Sequence, residues 1–210
     1  MRKISVKRCV IAEIGIFMIA VGVSFNAMAQ LGNDPVGIFY DGIRNALSLS
    51  QTQLGIASNL INLILFGLLC LFGRKYINVG TLLYVIPYGT FVSIGTAVYP
   101  HIFASGTLVC RIAGSVTGCL LLYTGVGIYV AMEVGLDPMN GISLLLMEII
   151  KLDYAKTKWI FDGTMTAVGF LLGGKFGVVT LLTALTGGPG IQIVINAVKH
   201  FMHEEKANVK

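Results

Sequence analysis

The chain contains little charge, and much of its charge lies beside long hydrophobic stretches. Only 12% of its 210 residues are charged, whereas 55% are apolar and the mean hydropathy is +0.82. A soluble domain needs more charge than this to cover its surface, while helices that face lipid need almost none. The composition therefore predicts an integral membrane protein whose main partner is the lipid bilayer.

Sequence motifs of the common enzyme classes are also missing. There is no phosphate-binding Gly-x-x-x-x-Gly-Lys-Ser/Thr loop, no His-Glu-x-x-His and no Gly-x-Ser-x-Gly. The four cysteines lack the spacing of a metal site or a disulfide framework. We therefore expect no enzymatic activity, no cofactor and no metal. The net charge of +5 is explained by Lys and Arg that flank hydrophobic spans, so no nucleic-acid partner is expected.

The N-terminal segment imitates a secretory signal peptide. A basic start precedes an apolar run, and Ala27-Met28-Ala29 stands before Gln30 like a signal-peptidase site. However, residues 9–29 are numerous enough to cross about 30 Å of hydrocarbon. The glycines of this run also recur in mid-chain, at Gly118 and Gly125, where no cleavable signal could act. We therefore expect the segment to be a retained membrane span.

The most informative feature that is present is an internal repeat. A shift of 103 positions superimposes Gly15, Gly22, Gly32, Asp34 and Pro35 on Gly118, Gly125, Gly135, Asp137 and Pro138. After a short deletion the match resumes, and Thr81 meets Thr180. The pattern predicts a first membrane repeat over residues 1–103, a second over 104–198 and a cytoplasmic tail over 199–210.

Each repeat is predicted to contain three membrane-spanning helices and one short helix. The short helices, residues 35–48 and 138–151, follow a Gly-x-Asp-Pro break and are too short to cross a bilayer. The predicted fold is therefore an all-α polytopic membrane protein with two homologous halves, each including a broken or re-entrant helix. The six predicted spans are residues 9–29, 54–72, 79–98, 112–132, 157–173 and 178–198.

The distribution of basic residues favours a topology in which both termini are cytoplasmic. With six crossings and the N-terminus inside, the positive-inside rule divides the Lys and Arg residues twelve to three in favour of the cytoplasm. An alternative with eight crossings, in which both short helices span, divides the charge almost as well. We prefer six because Asp41 and Arg44 would be costly in a short crossing.

Asp34 and Asp137 are the first candidate site residues. Asp before Pro is a strong signal for the start of a helix, so both fit a structural N-cap. Both also fit a functional role, in which two helix N-termini line one central cavity and bind a solute. Asn33, beside the first break, belongs to the same candidate site.

Further polar residues in or beside the apolar stretches complete the predicted solute-binding set. Asn59 and Asp162 occupy equivalent positions in the two repeats, and a carboxylate inside a membrane often marks an ion or proton pathway. Glycines and a proline at residues 187–190 predict a bend or an unwound segment in the last span. The remaining members of the set are Thr81, Thr180 and Gln192.

These motifs together resemble the bacterial YczE-like membrane proteins of the YczE/YyaS/YitT group. The likeness is carried by Gly32-x-x-Pro35, by Leu-Leu-Gly-Gly-Lys-Phe-Gly at 171–177, by Thr180, and by Gly188-Pro189 followed by Gln192. It extends over nearly all of residues 10–198. The resemblance implies a location in the plasma membrane and supplies no settled biochemical activity.

Two functions fit the sequence. The first is a small-solute transporter or permease with a central site between two inverted repeats. The second is a membrane-embedded solute-binding or accessory subunit of a larger complex. The solute is not encoded in any recognisable motif, and both a homo-oligomer and a partner subunit stay open.

Overall fold

The fold is a bundle of α-helices. A computed structural model describes residues 5–208, with side chains described through residue 202. No strand occurs over this range. The helices are α1 (Val6–Ala29), α2 (Pro35–Ala46), α3 (Leu54–Phe72), α4 (Val79–Val85), α5 (Tyr88–Ile102), α6 (Leu108–Met132), α7 (Pro138–Ile150), α8 (Tyr154–Leu171) and α9 (Val178–Asn208).

The predicted short helices are confirmed, and a proline interrupts the third span. The helices α2 and α7 contain 12 and 13 residues, and each begins with a proline in its first turn, where the missing N–H costs nothing. Pro87 separates α4 from α5, since a proline ring cannot continue the helical hydrogen-bond ladder. The third span is therefore two helices in series.

The first long helix of each half forms the centre of the bundle, because α1 and α6 pack closely through glycines. A Cβ atom on Gly15 would lie 2.8 Å from the carbonyl oxygen of Gly125, and one on Gly22 would lie 2.6 Å from that of Gly118. Residue numbers increase from 15 to 22 along α1, while those of the contacting residues on α6 decrease from 125 to 118. The two helices are therefore antiparallel.

Two other helix pairs, α1 with α5 and α6 with α9, are parallel. Phe17 contacts Phe91 at a ring distance of 5.2 Å, and Phe25 contacts Tyr99 at 5.4 Å, so α1 and α5 run in the same direction. Likewise α6 and α9 are parallel, because Tyr123 bonds to Thr186 while Gly127 packs against Val194. Each long central helix thus lies beside the last long helix of its own half.

The ends of these helices meet as six crossings require. Glu133, just after α6, forms ion pairs with Arg8 near the start of α1 and with Lys199 late in α9, at 3.9 and 3.5 Å. These three sites therefore lie at one end of the bundle. In the eight-crossing alternative α1 and α6 would be parallel, which the glycine contacts contradict.

Five of the described helical segments are long and apolar enough to cross a membrane, and α8 is not among them. The prediction of a fifth apolar span at residues 157–173 was therefore wrong about its composition, because Lys158 and Asp162 reduce the hydropathy of this stretch. However, α6 and α9 are parallel, so the chain between them must return across the bundle. The 18 residues of α8 reach about 27 Å and provide this return.

The C-terminal helix α9 lacks one of the two features predicted for residues 187–190. It continues through this stretch without an unwound segment, although it contains Pro189. It also extends to Asn208, so the predicted tail from residue 199 is helical over most of its length. Arg2, Lys3 and Lys210, which the charge count included, lie outside the described residues.

The close approach of α1 and α6 makes Gly22 sensitive to substitution. We expect Gly22→Ala to lower the thermal unfolding midpoint in detergent, because the added methyl would force the two backbones apart at a cost of about 1–3 kcal/mol. The matched control is Gly67→Ala on α3, where an added methyl meets open space and improves helix propensity. Equal midpoints for the two variants would show that the glycine contact does not determine stability.

Candidate functional site

The chain re-enters the bundle after α1. Gln30 adopts a left-handed conformation that ends the helix, and Gly32 follows with φ +106°, a value that favours glycine. Asn33 then donates a hydrogen bond to the carbonyl oxygen of Val23, two turns back along α1. As a result, α2 starts inside the bundle instead of at its surface.

The second break has the same backbone form. Glu133 is left-handed, Gly135 has φ +144°, and Asp137 caps α7. Each break bonds to the first turn of the last span of the other half. Val179 donates its backbone N–H to Leu31, and Gly80 donates to Val134, both at 3.1 Å.

The two aspartates at these breaks are in different environments. Asp137 is a complete N-cap, since its carboxylate accepts hydrogen bonds from the backbone N–H and the side-chain amide of Asn140. Asp34 makes no capping hydrogen bond, although the N–H groups of Val36 and Gly37 lie near enough to interact electrostatically. Its Oδ1 is buried without a hydrogen-bond partner. Burial of such an atom costs free energy, so Asp34 is the aspartate that a plain cap does not explain.

Asn33 has a structural role in the break. Its amide nitrogen bonds to the α1 backbone, and its oxygen accepts a hydrogen bond from the backbone N–H of Asp34. The side chain is 2% exposed and packs against Gly37. It therefore positions Asp34 and retains little capacity to bind a solute.

Thr81 and Thr180 stabilise the two breaks through hydrogen bonds and contacts. Thr81 donates to the carbonyl oxygen of Leu136 at 2.7 Å, beside the second break. Thr180 accepts a hydrogen bond from the backbone N–H of Gly177 and lies against Gly32 at the first break. Both threonines are buried, and Thr180 also borders the cleft described below.

Asn59 and Gln192 lie apart from the breaks. Asn59 accepts a hydrogen bond from the backbone N–H of Gly89 at 2.9 Å and so joins α3 to α5. Gln192 is exposed on α9 and donates to Asn196 on the same helix. The expectation that both residues line one central site with the aspartates is not met in this arrangement.

A buried tyrosine cluster lies between the two breaks, and sequence reasoning missed it. Tyr84 and Tyr88 stack with ring centroids 4.6 Å apart, and Tyr40 and Tyr129 pack beside them. The hydroxyl of Tyr40 donates to Asn62, while that of Tyr129 is buried without a partner. The sequence feature that could have indicated this cluster is the spacing of Tyr84 and Tyr88, which is about one helical turn.

The cluster links the electrostatic environments of the two breaks. Tyr40 and Tyr88 are both close enough to Asp34 and Asp137 to interact electrostatically with each carboxylate. The N-termini of α2 and α7 therefore flank one buried polar region. Packing fills this region, since both tyrosines are fully buried.

An open cleft lies between α8 and α9, next to the first break. Its volume is about 690 Å³. Lys158 and Asp162 form an ion pair of 2.5 Å in its wall, and Asp162 is at the middle of α8. Both interact electrostatically with Asp34, which precedes the lining residue Pro35. The other lining residues include Trp159, Thr166, Phe170, Phe176, Thr180 and Leu181.

The corresponding helices of the first half are closed against each other. A Cβ on Gly55 would clash with the carbonyl oxygen of Gly89, so α3 and α5 touch through their backbones. In contrast, α8 and α9 scarcely contact each other over their described residues. Gly163 and Gly188 face open space, although Gly188 is the sequence counterpart of Gly89. The cleft is thus the open counterpart of a closed interface.

Among the described residues, no three His, Cys, Asp or Glu side chains converge on a point that could hold a metal ion. The charged groups in and beside the cleft are Lys158 and Asp162, which line it, and Asp34, which precedes the lining residue Pro35. This arrangement can hold a small charged or polar group against an apolar wall.

Comparisons with known proteins agree with the resemblance found in the sequence. The chain is 28% identical over 178 residues to the uncharacterized membrane protein YczE of Bacillus subtilis (strain 168), covering 83% of this chain and 79% of that one. It is 22% identical over 194 residues to the uncharacterized protein YyaS of the same organism, covering 92% and 95%. An uncharacterized protein of Haemophilus influenzae (strain ATCC 51907 / DSM 11121 / KW20 / Rd) is 27% identical over 129 residues, covering 60% and 57%.

No solved structure matches the chain. A family match extends over residues 6–196 of the chain. This match agrees with the multi-pass helical architecture and with the likeness to YczE. The chain is a YczE-like membrane protein and belongs to the family of unknown function DUF6198.

Proposed function

We propose that the protein is a small-solute permease in which two inverted repeats alternate between open and closed arrangements. The observation that carries the proposal is the difference between the two halves. The interface of α3 with α5 is closed, while the equivalent pair α8 and α9 encloses an open cleft beside Asp34. Inverted repeats that adopt different conformations provide a known route to alternating access.

The support for an inverted repeat is the reciprocity of the contacts. Gly15 meets Gly125, and the sequence counterparts of these two residues, Gly118 and Gly22, also meet. The backbone hydrogen bond from Val179 to Leu31 and the one from Gly80 to Val134 also join residues that are sequence counterparts. Because α1 and α6 are antiparallel, the halves have opposite orientations. We extend this to the predicted topology, with both termini in the cytoplasm and the protein in the plasma membrane.

The proposed second state exchanges the roles of the halves. In it α8 closes on α9, and α3 separates from α5. Asp162 then approaches Gly188, as its counterpart Asn59 approaches Gly89 here. This movement would cover the open glycine face of α9, and it involves no chemical conversion of the solute.

An accessory subunit is the second candidate. It is favoured by the polar residues on the outer face of α9, since Gln192 and Asn196 are exposed where lipid would offer them no hydrogen bonds. A partner protein that docked on this face would satisfy them. In that case α9 would serve as a fixed docking surface, and α8 would not need to close on it.

Cysteine cross-linking distinguishes the two candidates. Thr52 and Thr96 are in contact across the closed interface, and their sequence counterparts are Ala155 and Ile195. In a background without the four native cysteines, we expect Thr52→Cys/Thr96→Cys and Ala155→Cys/Ile195→Cys each to cross-link in membranes. The first pair reports the conformation of this structure, in which α3 contacts α5. The second pair reports the proposed second state, in which α8 contacts α9.

A permanent first cross-link should prevent the second when both pairs are present in one chain. Failure of Ala155→Cys/Ile195→Cys to cross-link, while the first pair reacts fully, would contradict the permease proposal and favour the accessory subunit.

A second prediction concerns the free energy of unfolding. We expect Asp137→Ala to lower it by about 1 kcal/mol, because a bonded N-cap is lost. Asp34→Ala should leave it unchanged or raise it by about 1–3 kcal/mol, because a buried oxygen without a partner is removed. Thermal or denaturant unfolding in detergent measures both. If Asp34→Ala were the more destabilising variant, Asp34 would be a structural cap and the proposed site would lose its central residue.

A further inference from the structure

The wall of the cleft between α8 and α9 is mainly apolar and opens sideways. Trp159, Phe170 and Phe176 contribute aromatic rings, and Leu181 contributes an aliphatic side chain. Trp159 is 82% exposed and Phe170 is 58% exposed, so the rim of the cleft faces the surroundings of the bundle. A ligand that enters here from the bilayer must itself be largely apolar.

The inner side of the cleft carries an excess of negative charge. Asp162 and Lys158 form one pair, and Asp34 adds a second carboxylate that forms no ion pair among the described residues. When both carboxylates are ionised, these three groups have a net charge of −1. A buried carboxylate is stabilised most by a cation close to it.

An anionic ligand fits the cleft poorly. Lys158 is the basic residue of the lining, and its ammonium already donates a hydrogen bond to Asp162. An anion would have to displace Asp162 and would also be repelled by Asp34. Aromatic faces, in contrast, attract cations through the negative charge of their π-systems.

We infer that the cleft binds a lipophilic monovalent cation, with its charge near Asp34 and Asp162 and its apolar body against Trp159, Phe170 and Phe176. This inference rests on the proposed permease function and names its substrate class. The ligand reaches the cleft from the bilayer, so its apolar groups replace lipid contacts with protein contacts. Its charge supplies the ion-pair partner that Asp34 does not have among the described residues.

Trp159 provides a reporter inside the cleft, because it is the chain's single tryptophan. The experiment titrates the purified protein in nanodiscs with tetraphenylphosphonium and, separately, with tetraphenylborate, while tryptophan emission is recorded. These two ions have similar size and shape and opposite charge. We expect saturable quenching by the cation and at least tenfold weaker binding of the anion.

Asp34→Asn should weaken cation binding at least tenfold, because it removes the unpaired negative charge. The matched control is Asp137→Asn, which changes the equivalent residue of the other break and retains a side chain that can cap a helix. We expect this control to bind the cation like the unaltered protein.

Three results would overturn the inference. They are absence of quenching by tetraphenylphosphonium, equal binding of both ions, and unchanged cation binding by Asp34→Asn. Each leaves the permease proposal to be judged by the cross-linking of α8 to α9, which needs no ligand. Loss of that cross-link with intact cation binding would instead retain the site and remove the transport cycle.

Discussion

The close antiparallel contact of α1 and α6 is the constraint on which the rest of the structure depends. Gly15, Gly22, Gly118 and Gly125 allow the two backbones to approach to a distance that no side chain would permit. In a bilayer, where the hydrophobic effect does not drive helices together, such packing is a main source of association. Because the contact is reciprocal, it also determines the opposite orientation of the two halves and the direction of every helix beside them.

The two halves share this scaffold and differ where function is proposed. In the first half, Asn59 and Gly55 join α3 to α5. In the second half their counterparts, Asp162 and Lys158, are charged and paired with each other instead. Because Lys158 and Asp162 bond to each other, neither joins α8 to α9 in this structure, and the cleft between these helices is open. These two positions therefore distinguish the open pair α8 and α9 from the closed pair α3 and α5.

Hydropathy, breaker residues and the repeat predicted much of the architecture. The Asp-Pro pairs located the starts of α2 and α7, because Asp favours the N-cap and proline favours the first turn of a helix. The signal failed at α8, where Lys158 and Asp162 hide a crossing from any average over composition. It failed also for the tyrosine cluster and for the unequal bonding of Asp34 and Asp137. The tyrosine cluster depends on side chains that meet only in the folded structure. The repeat in sequence predicts equal roles for Asp34 and Asp137, whereas their different neighbours give them different hydrogen bonds.

The register of the central glycines gives the contact between α1 and α6 a further property. Two antiparallel copies of α1 in this register would bring Gly15 of one against Gly22 of the other at both ends of the contact. The surface of α1 is therefore self-complementary, and one helix of this kind can pair with an inverted copy of itself.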